Sequence, residues 1–241
     1  MIEERVKKYW TVRAHDFGVV RKNELENQMS GKWLEELESH LPPKRDLRIL
    51  DAGTGTGFFA ILLAGCGHWV EGIDLTSAML EEAAAVARER DLDISFRQMD
   101  AQNLSYEDES FDAVISRNLT WTLPDPEQAY REWFRVLKPG GILLNYDANY
   151  GDHIRSESKQ NISVPADSPY GHIGMTGDLV KENAAITLAM DISRQNRPQW
   201  DVQVLQEAGF RDCRIDPLVG KRVLGNLDLT DAPMFGIRAV K

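Results

Sequence analysis

Residues 47–57 read Leu-Arg-Ile-Leu-Asp-Ala-Gly-Thr-Gly-Thr-Gly, an apolar run closed by Asp51 and followed by three glycines at alternate positions. Leu47, Ile49 and Leu50 have the character of a strand covered on both faces, the mark of a parallel sheet. Gly53, Gly55 and Gly57 permit positive φ and leave no Cβ between the backbone and a ligand. A helix is predicted over Phe58 to Ala64, its leading N–H groups pointing at that ligand. The turn is therefore expected to hold a small organic cofactor.

The residues downstream narrow its chemistry. Cys66 to Ile73 are predicted as a second strand, closed by Asp74, 21 residues beyond Gly53. An acid there can accept both hydroxyl hydrogens of a ribose. The dinucleotide fingerprint needs a third glycine where Phe58 stands, which disfavours a nicotinamide cofactor. A third strand, Ile94 to Gln98, leads into Met99-Asp100-Ala101, where a carboxylate can accept from an adenine amino group and the next N–H can donate to the ring. Aspartates also follow strands merely as caps. Here Asp74 and Asp100 stand in register behind Asp51 and the glycines, which favours ligand contacts.

Taken in order, DAGTGTGF, GIDLTSAML, RQMDAQNL, FDAVISRN and LKPGGILL resemble the class I S-adenosylmethionine-dependent methyltransferases, especially their small-molecule branch. The resemblance is dense over 47–147 and looser in the flanks. It implies S-adenosyl-L-methionine as cofactor and no metal. Gly53, Gly55 and Gly57 would approach its methionyl part, Asp51 would orient the amino-acid end, and Asp74, with Leu75 and Met79 of the same motif, would hold the ribose side. Asp100 and Ala101 would frame the adenine. Arg117 and Asn118 would lie where a backbone carbonyl meets the cofactor's ammonium. In many relatives an amino-terminal helix closes over the cofactor, which points to Tyr9, Trp10 and Arg13. Arg13 suits a carboxylate with its planar fork, or snorkels from an amphipathic core helix. Trp121 could stack on adenine or on a cationic acceptor, or be a plain core aromatic.

Charge and composition restrict partners. Twenty-eight basic against 38 acidic residues give a net charge of -10, which disfavours nucleic acid, whose binding depends on neutralising phosphates. After the fourth strand the chain reads Ser116-Arg117-Asn118-Leu119, without the Pro-Pro-Tyr element of exocyclic base methylation. A small-molecule acceptor is expected. No apolar stretch approaches a membrane span, and the first residues do not read as a secretory signal. Cys66 and Cys213 make no disulfide framework or metal motif. A cytoplasmic enzyme is expected, monomeric or homodimeric.

The overall expectation is an α/β fold, a doubly wound, mostly parallel seven-stranded sheet in one domain spanning 1–241. Residues 1–41 form a helical cap of two helices, ended by Pro42-Pro43. Residues 47–147 form the cofactor core. Asp125 caps a helix that Pro139-Gly140-Gly141 stops, and Ile142 to Tyr146 is the fifth strand. The insert 148–198, rich in Gly and Pro, has one regular stretch at Leu179 to Ile192 and is expected to act as a lid or substrate element. In 199–241, a helix over Trp200 to Ala208, a strand at Cys213 to Leu218 and an antiparallel strand at Met234 to Val240 complete the fold.

A sulfonium-bound methyl is already electrophilic, so positioning and water exclusion supply most of the catalysis. If the acceptor carries a proton, His153 and His172 in the insert are the candidate general bases; solvated loop histidines are the alternative. His15, His40 and His68 are expected in bland roles. Asp147 either faces the ligand crevice or caps a turn. Three functions remain: methyl transfer to a small metabolite, nicotinamide-dependent oxidoreduction, and cofactor binding without catalysis.

Overall fold

The computed structural model of the protein describes residues 1–157, 173–229 and 231–241. Its sheet contains β1 (Arg48–Ala52), β2 (Trp69–Asp74), β3 (Ser95–Gln98), β4 (Phe111–Arg117), β5 (Leu137–Asp147), β6 (Arg211–Asp216) and β7 (Phe235–Val240), in the order β3-β2-β1-β4-β5-β7-β6. β1 to β5 pair in parallel, and β7 lies antiparallel between β5 and β6. The order reverses between β1 and β4, the switch point beside which open α/β sheets bind ligands.

β1 alternates between two cores, as a two-sided strand must. Ile49 packs on one face with Trp33 and Leu37 of α2 (Gln28–His40) and Leu63 of α3 (Phe58–Gly65). Leu50 and Ala52 pack on the other with Tyr130 and Trp133 of α5 (Pro126–Val136) and Leu205 of α8 (Gln199–Glu207). These side chains are fully buried, each worth about 1.5–3 kcal/mol for the large aliphatics. A third cluster joins Val6 and Tyr9 of α1 (Ile2–Leu25) to Ile186 of α7 (Gly177–Ala189) and to Met190 and Ile192 beyond it. Packed in that way, α1 also reaches α4 (Ser77–Glu89) through the pairs Lys22–Glu89 and His15–Glu82.

Several boundaries differ from expectation. α5 is capped by Asp125 as predicted but ends at Val136, and Pro139-Gly140-Gly141 lies inside β5. The register jumps there from Phe111↔Leu137 to Ala113↔Ile142, because Gly140 takes φ +77° and donates its N–H to the Lys241 carbonyl. β6 begins two residues earlier than predicted. Asp212 adopts φ +48°, and a register shift separates Arg211 from Arg214, so this largely exposed edge strand shows no apolar alternation. Leu179 to Ile192 is not one helix but α7 followed by a 3-10 turn at Asp191–Arg194. The described part of the insert also holds α6 (Tyr150–Glu157). Between β6 and β7 lies the short α9 (Val219–Val223), on the α2 side of the sheet.

Candidate active site

The turn after β1 is built around Asp51. Its Oδ2 accepts from the Thr54 hydroxyl at 2.6 Å and from the Ala60 N–H at 3.0 Å, so it serves the open amino end of α3 from a distance. Burial pushes the Asp51 carboxyl up to about 6, against the lowering effect of those two hydrogen bonds; the neighbouring Asp74 charge adds to the rise and Arg117 offsets it. Asp74 ties the second strand to the turn. One oxygen accepts from Gly55 N–H at 3.1 Å and the other from Thr76 N–H at 2.9 Å. Its pKa is raised by burial despite both bonds. Asp100, after β3, accepts from Gln102 N–H at 2.9 Å.

These groups border a cavity of about 1500 Å³. That exceeds the ~300–1,000 Å³ of ordinary small-molecule sites, leaving volume for two reactants side by side. Of the residues expected from sequence, Tyr9, Arg13, Asp51, Gly53, Gly55, Asp74, Leu75, Met79, Asp100, Ala101, Arg117, Asn118, Trp121 and His153 all line it. Gly57 does not. A Cβ there would meet Ala83 at 3.0 Å and Phe96 at 3.3 Å, so the packing of α3 against α4 and β3 needs this position bare. Gly53 is bare because Leu119 lies where its Cβ would be, at 2.6 Å. Gly55, with φ +54°, would meet only Phe17, at 3.5 Å, among the described residues, so its backbone is open to a ligand. His172 lies outside the described residues.

Arg117 belongs to β4 rather than following it. Its guanidinium sits 2.9 Å from Glu24 and over the Trp33 ring at 4.4 Å. Asn118 takes φ +55°, donates its N–H to the Tyr146 carbonyl, and accepts the Tyr150 hydroxyl at 2.9 Å. Arg13 is 4% exposed and donates to the Ile173 carbonyl at 2.6 Å, so it is a buried residue of the cavity wall rather than a snorkelling one. Trp121 is buried too, and its indole nitrogen has no hydrogen-bond partner among the described residues. A buried donor left unmet costs ~1–3 kcal/mol, a deficit that a bound group with a lone pair would remove. His153 Nδ1 lies 2.9 Å from Asp231 Oδ1. The other described histidines are elsewhere: His15 faces Glu82, His40 faces Glu36, and His68 accepts from Leu47 N–H.

Asp147 does not face the crevice. It is fully buried, accepts from Trp121 N–H at 3.0 Å and Ala148 N–H at 2.8 Å, and also holds the Thr120 hydroxyl. Arg197 meets it at 3.3 Å, and reaches Thr120 at 2.7 Å and Asp201 with two bonds of 2.9 Å. Tyr130 completes the set, its hydroxyl 2.6 Å from Asp201. Burial opposes the Arg197 charge, but the two aspartates hold its pKa above the ordinary value. This network fixes the turn Thr120–Thr122 that carries Trp121. In the sequence, the i,i+4 spacing of Arg197 to Asp201 is the one local signal of this network. Asp231, Glu24 and Tyr150 were also missed, since their partners are remote in sequence.

Among the described residues, no group of three His, Cys, Asp or Glu could hold a metal ion, and no helix is long and apolar enough to cross a membrane.

Residues 50–145 match the sequence profile of the family described as "Methyltransferase domain". The chain is 30% identical over 195 residues to the 27-O-demethylrifamycin SV methyltransferase of Amycolatopsis mediterranei, covering 74% of this chain and 68% of that one. It is 38% identical over 115 residues to the ubiquinone/menaquinone biosynthesis C-methyltransferase of Bdellovibrio bacteriovorus, covering 46% and 48%. The chain thus spans less than half the length of several curated relatives it matches, 40 to 48%. The fold is shared with a Methanococcus maripaludis protein named as a candidate S-adenosyl-L-methionine-dependent methyltransferase, with a TM-score of 0.64 at 21% identity over 98% of this chain and 94% of that one. On the glycine turn, the acids at the strand ends and this likeness together, the chain belongs to the class I S-adenosylmethionine-dependent methyltransferase family.

Proposed function

We propose that the protein transfers the methyl group of S-adenosyl-L-methionine to a small-molecule acceptor. The observation that carries this is the junction of Asp74 with Gly55, which sets an acid and a bare backbone at the wall of a cavity of about 1500 Å³. The orphaned indole N–H of Trp121 and the open Gly55 backbone suit a bound organic group there. Asp74 and Leu75 would hold the ribose, Asp100 and Ala101 the adenine, and Asp51 with Arg13 the amino-acid end. Bound there, S-adenosyl-L-methionine supplies a methyl activated by its sulfonium. The chain's own part is to orient both reactants and keep water out. α1 and α7 serve that exclusion as a lid, joined by Arg5–Glu182 at 2.9 Å and by Asn183 to the Tyr9 hydroxyl at 2.9 Å.

The acidic balance of the chain supports a small acceptor over nucleic acid. Two free cysteines suit a cytoplasmic location, and we take the enzyme as a monomer or homodimer. A nicotinamide cofactor is disfavoured because Phe58 fills the place of the third glycine and is buried in the core. Isothermal titration with S-adenosyl-L-methionine and, separately, with NADH tests the reading. Saturable binding of the first alone is expected. Binding of NADH alone overturns it.

A further inference from the structure

We propose that a second site, in the groove where the end of α2 meets β5, β7 and β6, binds a small organic phosphate monoester between Arg214 and Arg238. The groove has a volume of about 510 Å³ and shares no lining residue with the large cavity. That volume lies within the ~300–1,000 Å³ of small-molecule sites, whose walls are mainly apolar with a few convergent polar groups. Its floor is the face of β5 that carries Ile142, Leu144 and Tyr146, and Leu41 and Pro42 at the end of α2 form one rim.

Arg238 of β7 stands directly opposite Leu144 of β5 on one side and Arg214 of β6 on the other. Residues directly opposite in a sheet present their side chains on the same face, so two cations lie side by side, an arrangement that costs stability unless an anion lies between them. The acids of the groove do not supply that anion. Arg222 of α9 bridges Glu36 and Asp216, and His40 meets Glu36 at 3.1 Å, so both carboxylates are already matched. Among the described residues, the side chains of Arg214 and Arg238 make no hydrogen bond or ion pair. In a chain of net charge -10, with 38 acidic residues to draw on, two unmatched guanidinium groups at one groove point to a ligand that brings the negative charge. Arginine forks suit planar or tetrahedral oxyanions, and a phosphate monoester carries close to two charges near neutral pH, enough for both, where a carboxylate carries one. Arg214 is exposed and Arg238 half-buried, so the phosphate is reached from solvent. The apolar lining at Leu41, Pro42 and Leu144 takes the organic part.

Calorimetry with phenyl phosphate, in the presence and absence of S-adenosylhomocysteine, tests the site. One equivalent is expected to bind with the same affinity in both conditions. It should bind more tightly than inorganic phosphate, which lacks the apolar part, and more tightly than benzoate, which carries a single charge. Arg214→Gln and Arg238→Gln are each expected to weaken phenyl phosphate binding by about tenfold or more, the loss of a hydrogen bond between charged groups. The ligand-free Arg214→Gln protein is expected to melt at or above the wild-type temperature, because the substitution relieves a like-charge contact. Absence of binding, displacement by S-adenosylhomocysteine, or equal affinity in the wild type and both variants overturns the proposal. Inorganic phosphate or benzoate binding as tightly as phenyl phosphate overturns it as well. A lower melting temperature of ligand-free Arg214→Gln would make that arginine a structural residue, with the same consequence. Sedimentation showing a dimer that Arg238→Gln dissociates would seat a second copy of the chain on this face instead, and would also overturn it.

Discussion

The two walls of the cavity are made in different ways. The cofactor wall is local: Asp51 meets Thr54 and Ala60, and Asp74 meets Thr76 and Gly55, so every such bond spans at most 19 residues and uses backbone or short side chains. The facing wall, where we propose the acceptor lies, is assembled from afar: His153 and Asp231 are 78 residues apart, Tyr150 and Asn118 are 32 apart, and Tyr9 and Asn183 are 174 apart. Cofactor recognition can therefore be carried by a short motif that many sequences share, whereas acceptor recognition changes whenever the flanking helices repack. It follows that a perturbation of one wall should leave the other largely intact.

The largest expected effect falls on the anchor of the acceptor wall. Arg197→Met leaves Asp147 and Asp201 buried without their cation and should cost about 3–5 kcal/mol in denaturant unfolding. A loss below ~1 kcal/mol would show that the turn bearing Trp121 is held by something else. Next, Asp74→Ala should weaken S-adenosyl-L-methionine binding by about 1.5–3 kcal/mol, read by calorimetry, with little change in acceptor binding. Unchanged cofactor affinity would remove the ribose assignment.

A pH series sharpens the same contrast. The Asp51 carboxyl is raised from 3.8 to about 6 by burial, so its protonated form favours the unliganded fold; that contribution is present below 3.8 and fades as pH rises through about 6. A cationic cofactor needs the ionised form instead. Cofactor affinity should accordingly fall as pH drops through about 6, by up to about tenfold per pH unit, and the thermal shift it produces should be greater at pH 7 than at pH 5. A flat profile would separate Asp51 from the cofactor's charge. The smallest effect is expected where α1 meets α7, where Tyr9→Phe removes the bond from Asn183 and should cost ~0.5–1.5 kcal/mol in global stability. A neutral result there would mean that apolar packing and the Arg5–Glu182 pair join α1 to α7 without this bond.

The legibility of each part follows the same division. β1, β4 and β5 each carry a short apolar run, Ile49–Leu50, Ala113–Ile115 and Ile142–Leu144, and the Asp125-Pro126 start of α5 is a capping signal read from two adjacent residues. β6 was misplaced by two residues because an exposed edge strand has no buried face to impose alternation. That position 57 must be bare is legible in the sequence, but the close approach of Ala83 and Phe96 is not, because those residues belong to other elements. For Asp147 the sequence allows both crevice and cap, because its buried pairing with Arg197 spans 50 residues and leaves no local signal.

What the sequence determined by itself is the parallel sheet, the glycine turn and the acids at successive strand ends, since hydrophobic periodicity, positive φ and local hydrogen bonds act between near neighbours. Only the tertiary structure decided which glycine opens to the cavity, that Arg197 locks the Trp121 turn, and that His153 meets Asp231. Those choices depend on how separate helices and loops pack, and burial energy is satisfied by that packing without leaving a periodic trace in the chain.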